Sequence, residues 1–176
     1  QFLNKYPNTT LQLAIWTGLR EFGDPGYYLD EVVNGEHDSN ILDLAELCKA
    51  LRKPIYIRFG YEFDGAHNAY PPEKYIAAYK YFVDLMRDEG VTNVAYFWHS
   101  LGVGAYYDSQ NYPDQYPVID RVATQELWYP GDDYVDWVGL SIFGIGWGNL
   151  ATNSTVQYLI DFAESHDKPI MLAETA

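Results

Sequence analysis

Cysteine is nearly absent from this chain of 176 residues, which has one, Cys48. A disulfide framework needs pairs and a thiolate metal site needs several, so both are excluded. Cys48 falls mid-pattern in an apolar helical segment and fits a small core side chain. Positive charge is also scarce: 11 Lys and Arg stand against 25 Asp and Glu, for a formal net charge of -14. Such a surface repels phosphate, so neither nucleic acid nor an anionic membrane is an expected partner. No apolar run approaches the roughly 20 residues that span a bilayer. No segment repeats and none is of low complexity. The first residues lack the pattern of a secretory leader, which makes a mature, trimmed or partial chain the expectation. Nothing in the sequence sets an oligomeric state.

What the chain has in quantity is apolar and aromatic surface. Hydrophobic residues make up 48% and aromatics 17%, including 17 Tyr and 5 Trp. At this length that suits one globular domain. The aromatics have two readings, a Tyr-rich core or planes on which the C–H faces of sugar rings stack. Two Asn-x-Ser/Thr sequons, at Asn8 and Asn153, are glycan acceptors only on a eukaryotic secretory route.

The order of elements is regular. Leu11 to Thr17 has the pattern of a buried strand, and a Gly- and Pro-rich loop follows. Asp38-Ser39-Asn40 is placed to cap a helix from Ile41 to about Leu51. Ile55 to Phe59 is a second strand. Pro72 suits the first turn of a helix that starts near Glu73 and carries Tyr75, Ile76, Tyr79, Phe82, Val83 and Met86 at helical spacing. Val94 to Trp98 is a third strand, ending at His99-Ser100. More than thirty residues without a clear period come next, rich in Tyr and Trp (Tyr106, Tyr107, Tyr112, Tyr116, Trp128, Tyr129), as expected of an ordered functional loop. Trp137 to Ser141 is a fourth strand, Thr155 to His166 a helix, and Ile170 to Ala173 a fifth strand. Strands alternating with helices imply a parallel sheet.

Two stretches share one grammar. In Lys53-Pro54-Ile55-Tyr56-Ile57-Arg58-Phe59-Gly60-Tyr61-Glu62-Phe63-Asp64-Gly65 and in Lys168-Pro169-Ile170-Met171-Leu172-Ala173-Glu174-Thr175, a Lys-Pro launches an apolar strand that runs into a glutamate. Charge at the C-terminal end of a buried strand is costly unless paired, and that end is where parallel α/β folds place their chemistry. Function spread over several strand ends indicates a (β/α)8 barrel, whereas doubly wound folds gather it near a switch point. A complete barrel takes roughly 250 residues. The chain, residues 1–176, is therefore expected to be an incomplete (β/α)8 catalytic domain. Glycosidic bonds are hydrolysed by two carboxyl groups, one protonating the leaving oxygen and the other attacking the sugar carbon or activating water. Glu62 and Glu174 are the candidate pair.

The phrases Arg58-Phe59-Gly60-Tyr61-Glu62-Phe63-Asp64-Gly65, Tyr129-Pro130-Gly131-Asp132-Asp133-Tyr134-Val135-Asp136-Trp137-Val138-Gly139 and Lys168-Pro169-Ile170-Met171-Leu172-Ala173-Glu174-Thr175 resemble glycoside hydrolase family 26 and its clan A relatives. These are retaining (β/α)8 barrels: β-mannanases, with some β-1,3-xylanases and β-glucanases. The resemblance runs from about Leu11 onward. It implies that the five strands are strands three to seven, that Glu62 is the acid/base and that Glu174 is the nucleophile. It also implies a secreted enzyme acting on a polysaccharide. Mannanases of the family carry His before the acid/base and Asn shortly after it, where this chain has Tyr61 and Asp64. A family Tyr beyond strand six corresponds most nearly to Phe143.

Around the pair, Arg58, Tyr61, Asp64, Trp98, His99, Phe143 and Trp147 are the expected substrate-binding residues. Arg58 lies four positions before Glu62, on the same side of a regular strand. Trp147 sits between glycines that leave its ring open. A neutral Glu62 requires a raised pKa, which Tyr61, Phe63 and Glu174 are placed to supply. No cofactor and no metal are expected. Two rivals stand beside this reading, a non-catalytic glycan-binding or structural barrel and a metal-dependent hydrolase using His67, His99 and Asp64, for which no ligand spacing argues.

Overall fold

The computed structural model describes residues 5–17, 27–65, 67, 68, 70–102, 125–143 and 149–175. Five parallel strands run in the order β1 (Leu11–Ile15), β2 (Ile55–Phe59), β3 (Val94–Ser100), β4 (Trp137–Ile142) and β5 (Ile170–Thr175). Between them lie helices α1 (Tyr27–Val33), α2 (Asp38–Leu51), α3 (Pro72–Asp88) and α4 (Ser154–Ser165). Short 3-10 turns cover Gln125–Trp128 and Leu150–Thr152.

Strands in a sheet are spaced about 4.8 Å apart, so β1 and β5 would stand about 19 Å apart if the sheet were flat. Instead the Gln12 side chain on β1 donates to the Ala173 carbonyl on β5 at 3.1 Å. The sheet is therefore curled into a half-barrel, and the partial (β/α)8 expectation is borne out.

Alternation along each strand divides the two faces. Ile55, Ile57 and Phe59 turn outward, where Phe59 stacks on Phe82 of α3 at 4.8 Å and meets Tyr79 edge-on. Trp98 and Leu140 continue this layer, with Trp98 packed on Phe63 and Phe162. Burying each such side chain contributes about 1.5–3 kcal/mol. Tyr56, Phe97 and Trp137 face inward and pack together low in the barrel, Phe97 lying parallel to Trp137. Above them come Arg58, His99 and Ser141.

Several elements differ from the sequence reading. β1 closes at Ile15 rather than Thr17, and β3 extends through His99 to Ser100. α2 begins at Asp38, so Asp38 is a first-turn acid rather than a cap, and it accepts a hydrogen bond from Tyr81 on α3. The unanticipated α1 is too short to hold by propensity alone. Its buried Leu29 and Val32 bring it into the core instead. Asn153 accepts from the Val156 amide and so caps α4. Trp128 and Tyr129, expected in a functional loop, are packing residues: Trp128 is buried and donates to the Tyr70 carbonyl, and Tyr129 meets Phe162 edge-on. Tyr106, Tyr107, Tyr112, Tyr116 and Trp147 lie outside the described residues.

Candidate active site

Glu62 stands just beyond the C-terminal end of β2, in a turn with two left-handed positions. Gly60 has φ 55°, and a side chain there would meet the buried Tyr75 ring. Glu62 itself has φ 51°, a conformation that costs a non-glycine residue of order 1 kcal/mol and persists only where surroundings impose it. The surroundings are visible. The buried Asn68 amide donates to the carbonyls of Tyr61 at 2.8 Å and Glu62 at 3.0 Å. Its oxygen accepts the Trp16 indole N–H at 3.2 Å. The Gly60 amide donates to Ile15 and the Phe63 amide to His99, which ties the turn to β1 and β3.

Glu174 is positioned by an irregularity. Along β4 and β5, Leu140 pairs with Leu172, but the next pair is Ser141 with Glu174. Ala173 is the extra residue of a β-bulge. In an unbroken ladder Glu174 would pair with the outward-facing Ile142. The bulge brings Glu174 to the inner side, which is the use such irregularities serve beside active sites.

A continuous chain of polar contacts then joins the two glutamates. Arg58 Nη2 lies 2.6 Å from Glu174 Oε1. Arg58 Nη1 lies 3.0 Å from His99 Nδ1. Because a guanidinium only donates, Nδ1 is the acceptor and the His99 proton sits on Nε2. Nε2 donates to Ser141 Oγ at 2.8 Å, and Ser141 donates to Glu62 Oε1 at 2.7 Å. Burial and the neighbouring Arg58 push His99 down to about 3, with Glu62 opposing, so His99 stays neutral at working pH. The other Glu62 oxygen, Oε2, is 3.0 Å from His67 Nε2.

The electrostatics of Glu62 correct the sequence expectation. Burial does push its carboxyl up, but hydrogen bonds from His67 and Ser141 and the charges of His67 and His99 outweigh it and hold it below its ordinary range. With His99 neutral, His67 and Ser141 carry that effect. Tyr61 lies with its ring 5.4 Å from the Arg58 guanidinium. Burial, then the Glu174 and Glu62 charges, raise its phenol above the ordinary value against the pull of Arg58, so it remains a donor.

The remaining expected residues divide. Phe143 is 43% exposed at the end of β4. Asp64 is fully buried with both oxygens engaged, by the Ser100 hydroxyl at 2.7 Å and the Leu101 amide at 2.6 Å, so it holds the chain after β3 rather than facing an open cleft. Trp98 is buried on the helix side and donates to the Trp128 carbonyl. Three residues were not anticipated at the site: Ser141, Asn68 and Trp16. Trp16 is 52% exposed at the rim and follows Gln12 and Ala14 on the inner face. That period of two was its signal in the sequence. Among the described residues no group of three His, Cys, Asp or Glu is placed to hold a metal: Asp64 turns to Ser100, His99 to Arg58 and Ser141, and His67 to Glu62.

Fold and site together define a class: half of a (β/α)8 barrel with two glutamates brought into one polar network at the C-terminal ends of its strands. Known proteins give that class a family setting. The chain is similar in structure to a family 26 β-mannanase from Bacteroides ovatus, with a TM-score of 0.72 and 20% identity over 98% of this chain and 53% of that one. In sequence it is 28% identical to a β-1,3-xylanase of a Vibrio species and 30% identical to one of an Alcaligenes species, each match covering all of this chain. It spans only 33% and 32% of those two relatives. No protein-family model matches the chain. The family 26 resemblance carried by the three motifs is borne out by these neighbours. Among the described residues no helix is long and apolar enough to cross a membrane.

Proposed function

We propose that this chain is the catalytic part of a secreted, retaining endo-β-glycanase that cleaves a plant or algal polysaccharide by double displacement. The observation that carries the reading is the polar chain Glu62–Ser141–His99–Arg58–Glu174, which links the ends of β2 and β5. Glu174, ionised and oriented by Arg58, attacks the anomeric carbon. Protonated Glu62 gives its proton to the departing glycosidic oxygen as that C–O bond breaks, leaving a glycosyl–Glu174 ester. Glu62, now a carboxylate, takes a proton from water as the water oxygen attacks the same carbon. The ester bond breaks, Glu174 is released as a carboxylate, and Glu62 ends with its proton restored. Trp16 and Phe143, exposed at the rim, supply apolar planes for sugar rings, and Tyr61 contributes a hydroxyl.

The preferred substrate is a β-xylan or β-glucan, 1,3-linked, over β-1,4-mannan. Mannose differs by its axial 2-hydroxyl, and Tyr61 stands beside the acid/base where mannanases carry His. Similarity to two proteins named β-1,3-xylanase supports this choice. The mechanism is tested with two variants of the full-length protein on the polysaccharide and on an aryl glycoside with a good leaving group. Glu174→Ala is expected to lose both activities, with no azide rescue to a product of retained configuration. Glu62→Ala is expected to keep aryl glycoside cleavage, which needs no proton. Equal losses in the two variants would overturn the assignment.

A further inference from the structure

Glu62 poses a chemical problem: a proton donor whose surroundings favour its charged form. Ser141 already donates to Oε1 at 2.7 Å, so a proton on Glu62 belongs on Oε2. Oε2 faces His67 Nε2 at 3.0 Å. The Asn68 amide nitrogen also lies near Nε2, at 3.2 Å, but its two hydrogens serve the carbonyls of Tyr61 and Glu62. Nε2 is thereby left to donate to a Glu62 carboxylate or to accept from a Glu62 carboxyl. The two side chains differ sharply in exposure, 51% for His67 against 9% for Glu62, so the pair reaches solvent through the imidazole.

From this geometry we infer that Glu62 and His67 hold one shared proton between Oε2 and Nε2, and that the pair, rather than Glu62 alone, is the proton donor of the reaction proposed above. With one proton present, the neutral pair (carboxylic acid and imidazole) interconverts with the ion pair (carboxylate and imidazolium) at no change in proton count. Strongly interacting groups titrate as a unit, so the last proton leaves at a higher pH than a lone carboxyl would allow. The neutral form is the reactive one. When a leaving oxygen approaches Oε2, the proton moves to it as the glycosidic bond breaks. Among the described residues, the other ionisable groups around Glu62 do not take this part. His99 on β3 is neutral and gives its hydrogen to Ser141; Arg58 on β2 serves His99 and Glu174 of β5; Asp64 in the same turn faces Ser100; and the Tyr61 phenol stays protonated.

Two measurements on the full-length protein test this. One is the pH dependence of kcat/KM for the polysaccharide, with and without His67→Gln. A shared proton predicts that the alkaline limb moves to lower pH by about one unit or more in the variant. If His67 acts only as a positive charge, its removal frees Glu62 to bind its proton more tightly and the limb moves to higher pH. A limb that moves up or stays in place overturns the inference. The second measurement needs no activity: the His67 imidazole is titrated by NMR in the parent protein and in Glu62→Gln. The His67 resonance is identified by its loss in His67→Gln. Coupling predicts a His67 pKa lower by about one unit or more in Glu62→Gln. An unchanged titration overturns the pair. Coupling without polysaccharide cleavage in any form would leave the pair standing and remove the glycanase reading instead.

Discussion

Arg58 of β2 and Glu174 of β5 meet at 2.6 Å although β3 and β4 lie between their strands. The contact is possible because the sheet curls, and it holds the nucleophile candidate and the neutral His99 with one planar fork. Lysine keeps the charge but not the fork. Arg58→Lys is therefore expected to lower kcat/KM by about a hundredfold or more through misplacement of Glu174. The stability loss, discounted for partial exposure of Glu174, is expected near 1–2 kcal/mol, read by urea unfolding. A variant of parental activity and stability would show that the fork is dispensable.

Asp64 makes folding depend on pH. Burial raises its carboxyl from an ordinary 3.8 to about 6, with Ser100 and the Leu101 amide pulling the other way. The protonated form is thus favoured in the folded state. Its stabilising contribution is fully present below the unfolded pKa and is lost as pH rises through about 6. That loss is of order 3 kcal/mol. Asp64→Asn keeps the shape without the charge. The difference in unfolding free energy between variant and parent is expected to grow in favour of the variant from about pH 4 to pH 6. A flat difference across that range would contradict the burial argument.

Gly60 governs the turn that carries Glu62. A Cβ there would stand 2.7 Å from Tyr75 Cε2, a fully buried ring, and φ is 55°. Gly60→Ala is expected to cost about 2–3 kcal/mol and to reduce activity more than stability alone explains, because Glu62 follows two residues later. A thermal midpoint within a degree or two of the parent would show that the ring yields.

The proposed substrate preference rests on Tyr61. The full-length protein offered β-1,3-xylan, a β-glucan and β-1,4-mannan is expected to rank mannan last by kcat/KM. Mannan first by about tenfold, some 1.4 kcal/mol in transition-state binding, would show that Tyr61 accommodates the axial hydroxyl.

Much of this was legible in the chain itself. The Lys-Pro openings before Ile55 and Ile170, the β-branched and aromatic runs behind them, and the glutamates at their ends announce two strands and a pair of acids. Helix α3 is legible because its buried positions recur at helical spacing. What a single strand does not announce is which face a residue near its end takes. Trp98 and His99 are neighbours, yet one packs under α4 and the other enters the polar network. Asp64 and Glu62 are two apart in a turn, where alternation no longer applies. Ser141 carries no signature at all, since its importance comes from standing between His99 and Glu62 once the sheet has curled.

The bulge at Ala173 gives the nucleophile candidate a dependence on parity. Counting from Ile170, an unbroken strand would send Glu174 to the side that faces helices, and one supernumerary residue reverses this. Changes of residue type along β5 leave that count intact. Removing or adding a single residue between Ile170 and Glu174 would invert it, while the strand stays long, apolar and paired. The half-barrel thus tolerates drift in the composition of β5 far better than drift in its length, and a one-residue deletion there would erase the carboxylate from the site while leaving Glu174 in the sequence.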